Sequence, residues 1–314
     1  MNTATETTPV LHPDCVSFLA YLRDIRHYSP HTISSYRTDL ISLSALFAST
    51  PPHQVSTLQI RKLTSQLHSK QLQARSIARH LSCWRSFFSW LSNHTDTEIN
   101  PVIGIKAPKR SKSLPKALSV DEAVHLVEHA LGTSASQAAD HAMFELLYSS
   151  GLRVSELVNL DIGYCKEAAY TSSGWIDLAE QMVHVTGKGN KVREVPIGSS
   201  AITALQHWLG QRPSLLKLEP HALFLTSRGT RMSARLVQLR IKAHAQQLEI
   251  KSNVHPHVLR HSFASHVLQS SGDLRAVQEL LGHSSLASTQ VYTALDFQHL
   301  SQVYDAAHPR AKTK

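Results

Sequence analysis

With 314 residues, 42% of them hydrophobic and 6% aromatic, the chain has the length of about two globular domains and apolar material for a core in each, which excludes a disordered protein. Lys and Arg exceed Asp and Glu by nine, and the sequence pI near 9.5 directs attention to polyanionic partners. No apolar run reaches the ~18 residues of a membrane span, residues 1–14 lack the basic and apolar regions of a secretory signal, and Cys15, Cys83 and Cys165 lie far apart. The expectation is a reducing, cytoplasmic setting with no disulfide framework, no membrane insertion and no Cys-x-x-Cys metal pair.

The N-terminal third reads as four helices with a shared core. Asp14 is placed to cap a first helix running to about Arg26, and Ser29-Pro30 joins an N-cap to proline at the first helical position of a second. That second helix carries Ile33, Tyr36, Leu40, Leu43 and Phe47 at helical spacing and meets Pro51-Pro52. A third starts at Ser56 or Thr57 and carries Leu58, Leu63 and Leu67. A fourth runs from about Ser76 with Ile77, Leu81, Trp84, Phe87, Phe88 and Leu91 on one face. The pattern predicts a compact helical bundle over 1–107 and an extended basic linker over 108–117. Net charge is +4 over 1–107, another +4 in the ten residues 108–117 (Lys109, Arg110, Lys112, Lys116), and only +1 over 118–314.

Residues 118–314 read as a second, mainly helical domain with a small β-sheet. Ser119 and Glu122 form a capping box, Gly151 breaks the chain, and a helix follows from about Val154. WIDLAE, MVHVTG and VREVPI, between residues 175 and 197, read as strands, with Gly187-Lys188-Gly189-Asn190 as the turn between the last two. Helices resume near Ala201. At the end, Asp296 caps an amphipathic run with Phe297, Leu300, Val303 and Tyr304 on one face, which needs a groove on its own domain or on a neighbour.

Five elements carry chemistry: GLRVSEL (151–157), the Lys188 hairpin, HPHVLRH (255–261), the Gly282-His283 pair and Tyr292. Singly each has an ordinary explanation. Arg153 suits a helix-end ion pair, Lys188 a solvated turn without the P-loop pattern, His283 a helix terminus, and Tyr292 a core position. The histidines of HPHVLRH lack a His-Glu-x-x-His pattern, and Arg260 among them repels a cation, so no metal and no cofactor is expected. Together the set suits metal-free phosphoryl transfer. Arginine forks bind nonbridging phosphate oxygens in pairs, and losing one such donor typically costs about 3–4 kcal/mol. A tyrosine with a reference pKa of about 10 is a weak nucleophile at neutral pH unless a base or a cationic pocket assists. His257 suits the base and Lys188 a proton donor for the leaving oxygen.

The ordered set Arg153 in GLR-x-SEL, Lys188 in TGKGNKxRxVP, His257 and Arg260 in H-x-x-R, His283 after Gly282, and Tyr292 nine residues on resembles the tyrosine recombinase (phage integrase) family across nearly the whole chain. The resemblance implies a two-domain DNA clamp, a helical core-binding domain of SAM-like type plus a catalytic domain with a C-terminal tail helix. It implies that Arg153 and Arg260 hold the scissile phosphate, His257 acts as base, and His283 bonds a phosphate oxygen. Lys188 then protonates the leaving 5′ oxygen and Tyr292 forms a 3′-phosphotyrosyl bond. Glu156 is either an orienting neighbour or a surface partner of Arg153. The run LDFQHLSQVYDAAHPRAK is closest to the branch that resolves chromosome dimers. For that branch the implied partners are double-stranded DNA with a dif-like site, a XerD-like recombinase in a heterotetramer, and an FtsK-type DNA translocase; the tail would dock on a neighbouring protomer. A mobile-element integrase and, further off, a type IB topoisomerase share the same chemistry.

DNA contacts are expected from both domains: Thr32, Tyr36 and Arg37 on the second helix, Arg75, Arg79 and Arg85 on the fourth, and Arg231, Arg235, Gln238 and Lys242 along a basic helix of the catalytic domain.

Overall fold

A computed structural model describes residues 11–95, 100–108, 117–128, 134–186, 192–282 and 303–311. Chain contacts gather into two compact units, Met1–Ser113 and Leu114–Lys314.

The first unit is built from α1 (Pro13–Asp24), α2 (Pro30–Phe47), α3 (Thr57–Ser69) and α4 (Ala74–Ser92). Ser29 caps α2 with Pro30 at its first position, and Ser56 forms a capping box with Gln59 at the start of α3. The α1 cap differs from the sequence expectation. The His12 ring accepts the N–H of Asp14 at 3.3 Å, and Pro13 leads the helix, so Asp14 lies inside the first turn, where a carboxylate complements the helix dipole. The helix ends at Asp24, short of Arg26. Leu58 is 76% exposed, because α3 turns Ile60 and Leu67 inward instead. The core centres on α4, whose Trp84, Phe87, Phe88 and Leu91 pack with Phe18, Leu40, Leu43 and Phe47. Trp84 Nε1 donates to the Asp39 carbonyl at 2.9 Å, which satisfies the one polar atom of a buried indole.

The second unit begins with the Ser119–Glu122 capping box and α5 (Val120–Glu128). Next come α6 (Ala135–Ser150) and the short α7 (Val154–Val158). Two sheets follow. One is a hairpin of β1 (Lys166–Glu167) and β2 (Tyr170–Thr171), which the sequence pattern did not predict. The other is the antiparallel order β3 (Gly174–Asp177), β4 (Met182–Thr186), β5 (Val192–Pro196), with Trp175 opposite His184 and Val185 opposite Arg193. The turn between β4 and β5, which holds Lys188, lies outside the described residues. Then come α8 (Ser199–Gln211), α9 (Ala234–Gln247), α10 (Pro256–Ser271) and α11 (Leu274–Leu281). Buried α6 is the centre of the main core, with Phe144, Leu147 and Tyr148 among Leu205, Trp208 and Leu259.

A polar network locks the start of this unit to α10. His266 Nε2 faces the Leu118 carbonyl at 3.0 Å and must be the protonated nitrogen, so Nδ1 accepts from Tyr148 Oη at 2.9 Å. The Leu118 N–H in turn donates to Ser262 Oγ at 2.9 Å. Burial pushes the His266 pKa down, in keeping with a neutral ring.

The last described segment, 303–311, lies on its own catalytic unit. Tyr304, Ala307 and Ala311 are buried with Val195, Phe263, Val267, Ala276, Val277 and Leu280. The Tyr304 ring stacks on His308 at 5.2 Å, and Arg310 binds Glu145 and, at 2.6 Å, Glu128. Of the amphipathic run, Val303 and Tyr304 therefore pack within the same chain, whereas Phe297 and Leu300 lie outside the described residues.

Candidate active site

The site grows from the end of α6. Gly151 ends that helix in the left-handed region at φ 55°, and a Cβ there would lie 2.8 Å from Phe263 Cε1, so both conformation and space require glycine. The turn delivers Arg153 as the N-cap of α7. Glu156, three residues on, reaches back to the start of the helix, accepting the Arg153 N–H at 2.8 Å and Arg153 Nη1 at 2.8 Å. Of the two sequence alternatives for Glu156, the i,i+3 pair with Arg153 is present, but with a nearly buried carboxylate in place of a surface one.

Glu156 has a second partner, the arginine of TGKGNKxRxVP. Arg193, on β5, meets it fork to fork, with Nη1 to Oε1 at 2.8 Å and Nη2 to Oε2 at 2.9 Å. Burial alone would raise the carboxyl pKa. The Arg193 guanidinium, helped by Arg153, outweighs that and holds it at about 2.

Arg260 comes from the second turn of α10. Its Nη1 donates to the Gly151 carbonyl at 2.5 Å and its Nη2 to the Leu281 carbonyl at 2.6 Å, while Glu156 Oε2 stands 4.0 Å away. Burial first, then the nearby Arg153, lowers its pKa to about 10, against the pull of Glu156. It stays cationic at neutral pH. Three guanidiniums thus surround one carboxylate, leaving a net positive centre suited to an anion. Arg153, with 37% of its side chain exposed, is the member open to solvent.

The same guanidiniums cap α11. Arg193 Nε donates to the Leu280 carbonyl at 3.2 Å, and Arg260 takes that of Leu281, so two cations satisfy carbonyls at the negative end of the helix. Gly282 follows at φ 62°, and a Cβ there would fall 2.9 Å from Arg193 Cδ.

Of the six expected catalytic residues, Arg153 and Arg260 are brought together around Glu156. His257 lies exposed on the first turn of α10, its ring 6.3 Å from that of His255. Lys188, His283 and Tyr292 lie outside the described residues. Among the other tyrosines, Tyr304 and Tyr148 are buried, with pKa values pushed above the ordinary range by that burial. Tyr170 donates to Asp161 at 2.7 Å.

The residues expected at DNA divide by their internal partners. Arg235, Gln238 and Lys242 lie along α9 at spacings of three and four, with Arg235 and Lys242 exposed. Arg37 is exposed. Thr32 is bonded to the Ser29 cap at 2.9 Å, and half-buried Tyr36 packs edge-on to Tyr28. Three arginines have tasks inside the fold. Arg79 Nη2 binds buried Asp39 at 2.9 Å, joining α4 to α2, and Arg85 reaches the Ile105 carbonyl at 3.4 Å. Arg231 donates to Asp161 at 2.7 Å, to Tyr170 Oη at 2.9 Å and to the Leu160 carbonyl at 3.1 Å, so it braces the sheet and stands apart from the exposed row. Cys165, Glu167 and His221 place three donor atoms within 4.8 Å of one another beside the β1–β2 hairpin, a group separate from the histidines of HPHVLRH.

This arrangement matches a known class. The model for the phage integrase family covers residues 116–299, and that for the phage integrase N-terminal SAM-like domain covers residues 16–94. The chain belongs to the phage integrase family, and it is a DNA-cleaving and rejoining tyrosine recombinase. Among curated relatives it is similar to tyrosine recombinase XerC of Ralstonia pickettii, 51% identical over 96% of this chain and 95% of the relative. To tyrosine recombinase XerC of Pseudomonas aeruginosa it is 44% identical over 97% of each. Its fold is that of XerH bound to a palindromic difH substrate, with a TM-score of 0.65 at 20% identity, covering 93% of this chain and 84% of that one. It is also that of the Tn1549 transposon integrase in complex with transposon right-end DNA, with a TM-score of 0.68 at 17% identity, covering 92% of this chain and 98% of that one. No helix among the described residues is long and apolar enough to cross a membrane.

Proposed function

We propose that this site-specific recombinase acts as the XerC-type member of a pair, resolving chromosome dimers at a dif-like site in a heterotetramer with a XerD-like recombinase, under an FtsK-type translocase. The observation that carries this reading is the near full-length identity, 44–51%, to XerC recombinases.

In this mechanism the scissile phosphate is held by Arg153 and Arg260 beside Glu156. His257 accepts the phenolic proton as Tyr292 Oη attacks phosphorus. The P–O5′ bond breaks as the new P–Oη bond forms, and Lys188 gives its proton to the leaving 5′ oxygen. His283 and the two arginines stabilise the charge on the nonbridging oxygens. The product is a 3′-phosphotyrosyl bond, which an incoming 5′ hydroxyl reverses. One phosphoester is exchanged for another, so no ATP is required, and the arginines and lysine supply the cationic help that a metal gives elsewhere. Arg235, Gln238 and Lys242 contact DNA from α9, with Arg37 from the first unit.

The test is strand exchange on supercoiled plasmids with two dif sites, with and without a XerD-type partner. Holliday junctions and resolved circles only with both proteins, and only with dif, are expected. Relaxation of plasmids lacking the site points to a topoisomerase, and recombination without the partner to a self-sufficient integrase; either contradicts the proposal.

A further inference from the structure

Arg193 sits on β5, directly after the turn that holds Lys188, and joins segments far apart in sequence. Its fork takes both Glu156 oxygens at 2.8 and 2.9 Å, its Nε takes the Leu280 carbonyl at 3.2 Å, and its Cδ lies where a side chain at Gly282 would begin. It therefore touches the turn that presents Arg153 and the helix end that leads to His283, while belonging to the strand that leads from Lys188.

We propose that Arg193 is a positioning residue for strand transfer, which holds Glu156 on Arg153 and away from Arg260. This rests on the recombinase mechanism given above. Glu156 Oε1 is shared by Arg153 Nη1 and Arg193 Nη1, both at 2.8 Å, whereas Oε2 accepts the Arg153 N–H at 2.8 Å and Arg193 Nη2 at 2.9 Å and stands 4.0 Å from Arg260 Nη1. Without the Arg193 fork, the nearly buried carboxylate keeps one Arg153 donor on each oxygen, loses half of its partners and shifts towards the next cation, 4.0 Å from Oε2. That cation is Arg260, whose charge is needed at the phosphate. A need for rigidity alone does not account for the arrangement, since apolar residues of similar volume in place of the whole ion group often hold a core as well. Here the fork adds a third guanidinium beside two others, an arrangement with a purpose if the carboxylate must be aimed.

The mechanism makes the damage from losing Arg193 pass through the Glu156 charge, which gives the experiment its discriminating arm. Single-turnover formation of covalent protein–DNA adduct on a nicked suicide substrate is measured for wild type, Arg193→Met, Arg193→Lys and the double variant Arg193→Met/Glu156→Gln. DNA affinity and thermal midpoint are measured on the same preparations. Glutamine at 156 keeps a cap acceptor for the Arg153 N–H but carries no charge to draw onto Arg260. The expectation is about a 100-fold slower adduct rate for Arg193→Met with DNA affinity within about threefold of wild type. Arg193→Lys should fall between, lacking the bidentate fork. The double variant should recover about tenfold over the single one, a coupling that simple loss of structure does not produce. The proposal is overturned if Arg193→Met cleaves within about threefold of wild type, if its loss follows the unfolded fraction, or if the double variant is no faster than the single. Absence of adduct from wild type would instead overturn the strand-transfer mechanism itself.

Discussion

Glu156 binds Arg153 twice, through the main-chain N–H and through Nη1, both at 2.8 Å, so that one carboxylate fixes both the backbone and the side chain of the outermost arginine of the site. The charge state of Glu156 is thereby linked to folding. Its pKa is about 2 in the folded protein against an ordinary 4.5, so the stabilisation is fully present above pH 4.5 and is lost as the pH falls towards 2. At 1.36 kcal/mol per pKa unit the ionised state contributes about 3 kcal/mol at neutral pH. Glu156→Gln should lower stability by up to that amount at pH 7 in denaturant titrations, and the difference from wild type should shrink progressively below pH 4.5.

Gly151→Ala should destabilise the catalytic unit by more than about 2 kcal/mol. The new methyl adds left-handed strain at φ 55° to an overlap with the Phe263 ring. Because the displaced carbonyl is also the one Arg260 holds, adduct formation should fall further than the unfolded fraction explains. Thermal unfolding and single-turnover cleavage on the same protein measure both.

Deleting 303–314 should destabilise the catalytic unit instead of merely freeing a partner-binding arm, because Tyr304 and its neighbours cover Phe263 and Val267. Tyr304→Ala alone should cost about 3–5 kcal/mol. Burial pushes the His308 pKa down to about 3, with His266 and Arg310 nearby adding to the effect. The buried ring is neutral, so docking is at full strength above the ordinary imidazole value and weakens as the pH falls from there towards 3. Protection factors for hydrogen exchange in 303–311, taken relative to the intrinsic rate at each pH, should fall over that range.

Lys188→Ala should fail on ordinary DNA yet cleave a 5′-bridging phosphorothiolate at close to the wild-type rate, since a thiolate leaves without a proton. Equal defects on both substrates would leave Lys188 as a DNA contact only. Wild-type cleavage should persist in EDTA, while loss restored by added zinc would bring the Cys165, Glu167 and His221 donors into consideration.

The helices, their caps at Ser29, Ser56 and Ser119, and the three-stranded sheet were legible because each rests on local signals: a capping hydroxyl, a proline, an apolar period. The His12 cap was hidden, since an imidazole acceptor has no strong sequence signature, and the β1–β2 hairpin is too short for alternation to register. Arg153 and Arg260 were legible through motif order. Arg193 was not singled out, because its meaning depends on a contact 37 residues away in sequence. Arg79 and Arg231 looked like surface cations because their buried partners, Asp39 and Asp161, are 40 and 70 residues distant. A basic residue reveals its task only when its acidic partner is located.

The most direct measurement is peptide mapping of the covalent adduct formed by wild type on a nicked dif suicide substrate, alongside Tyr292→Phe. The account predicts a 3′-phosphotyrosyl bond on Tyr292 and no adduct from the variant, with DNA binding unchanged. An adduct on another residue, or an undiminished yield from Tyr292→Phe, would contradict it.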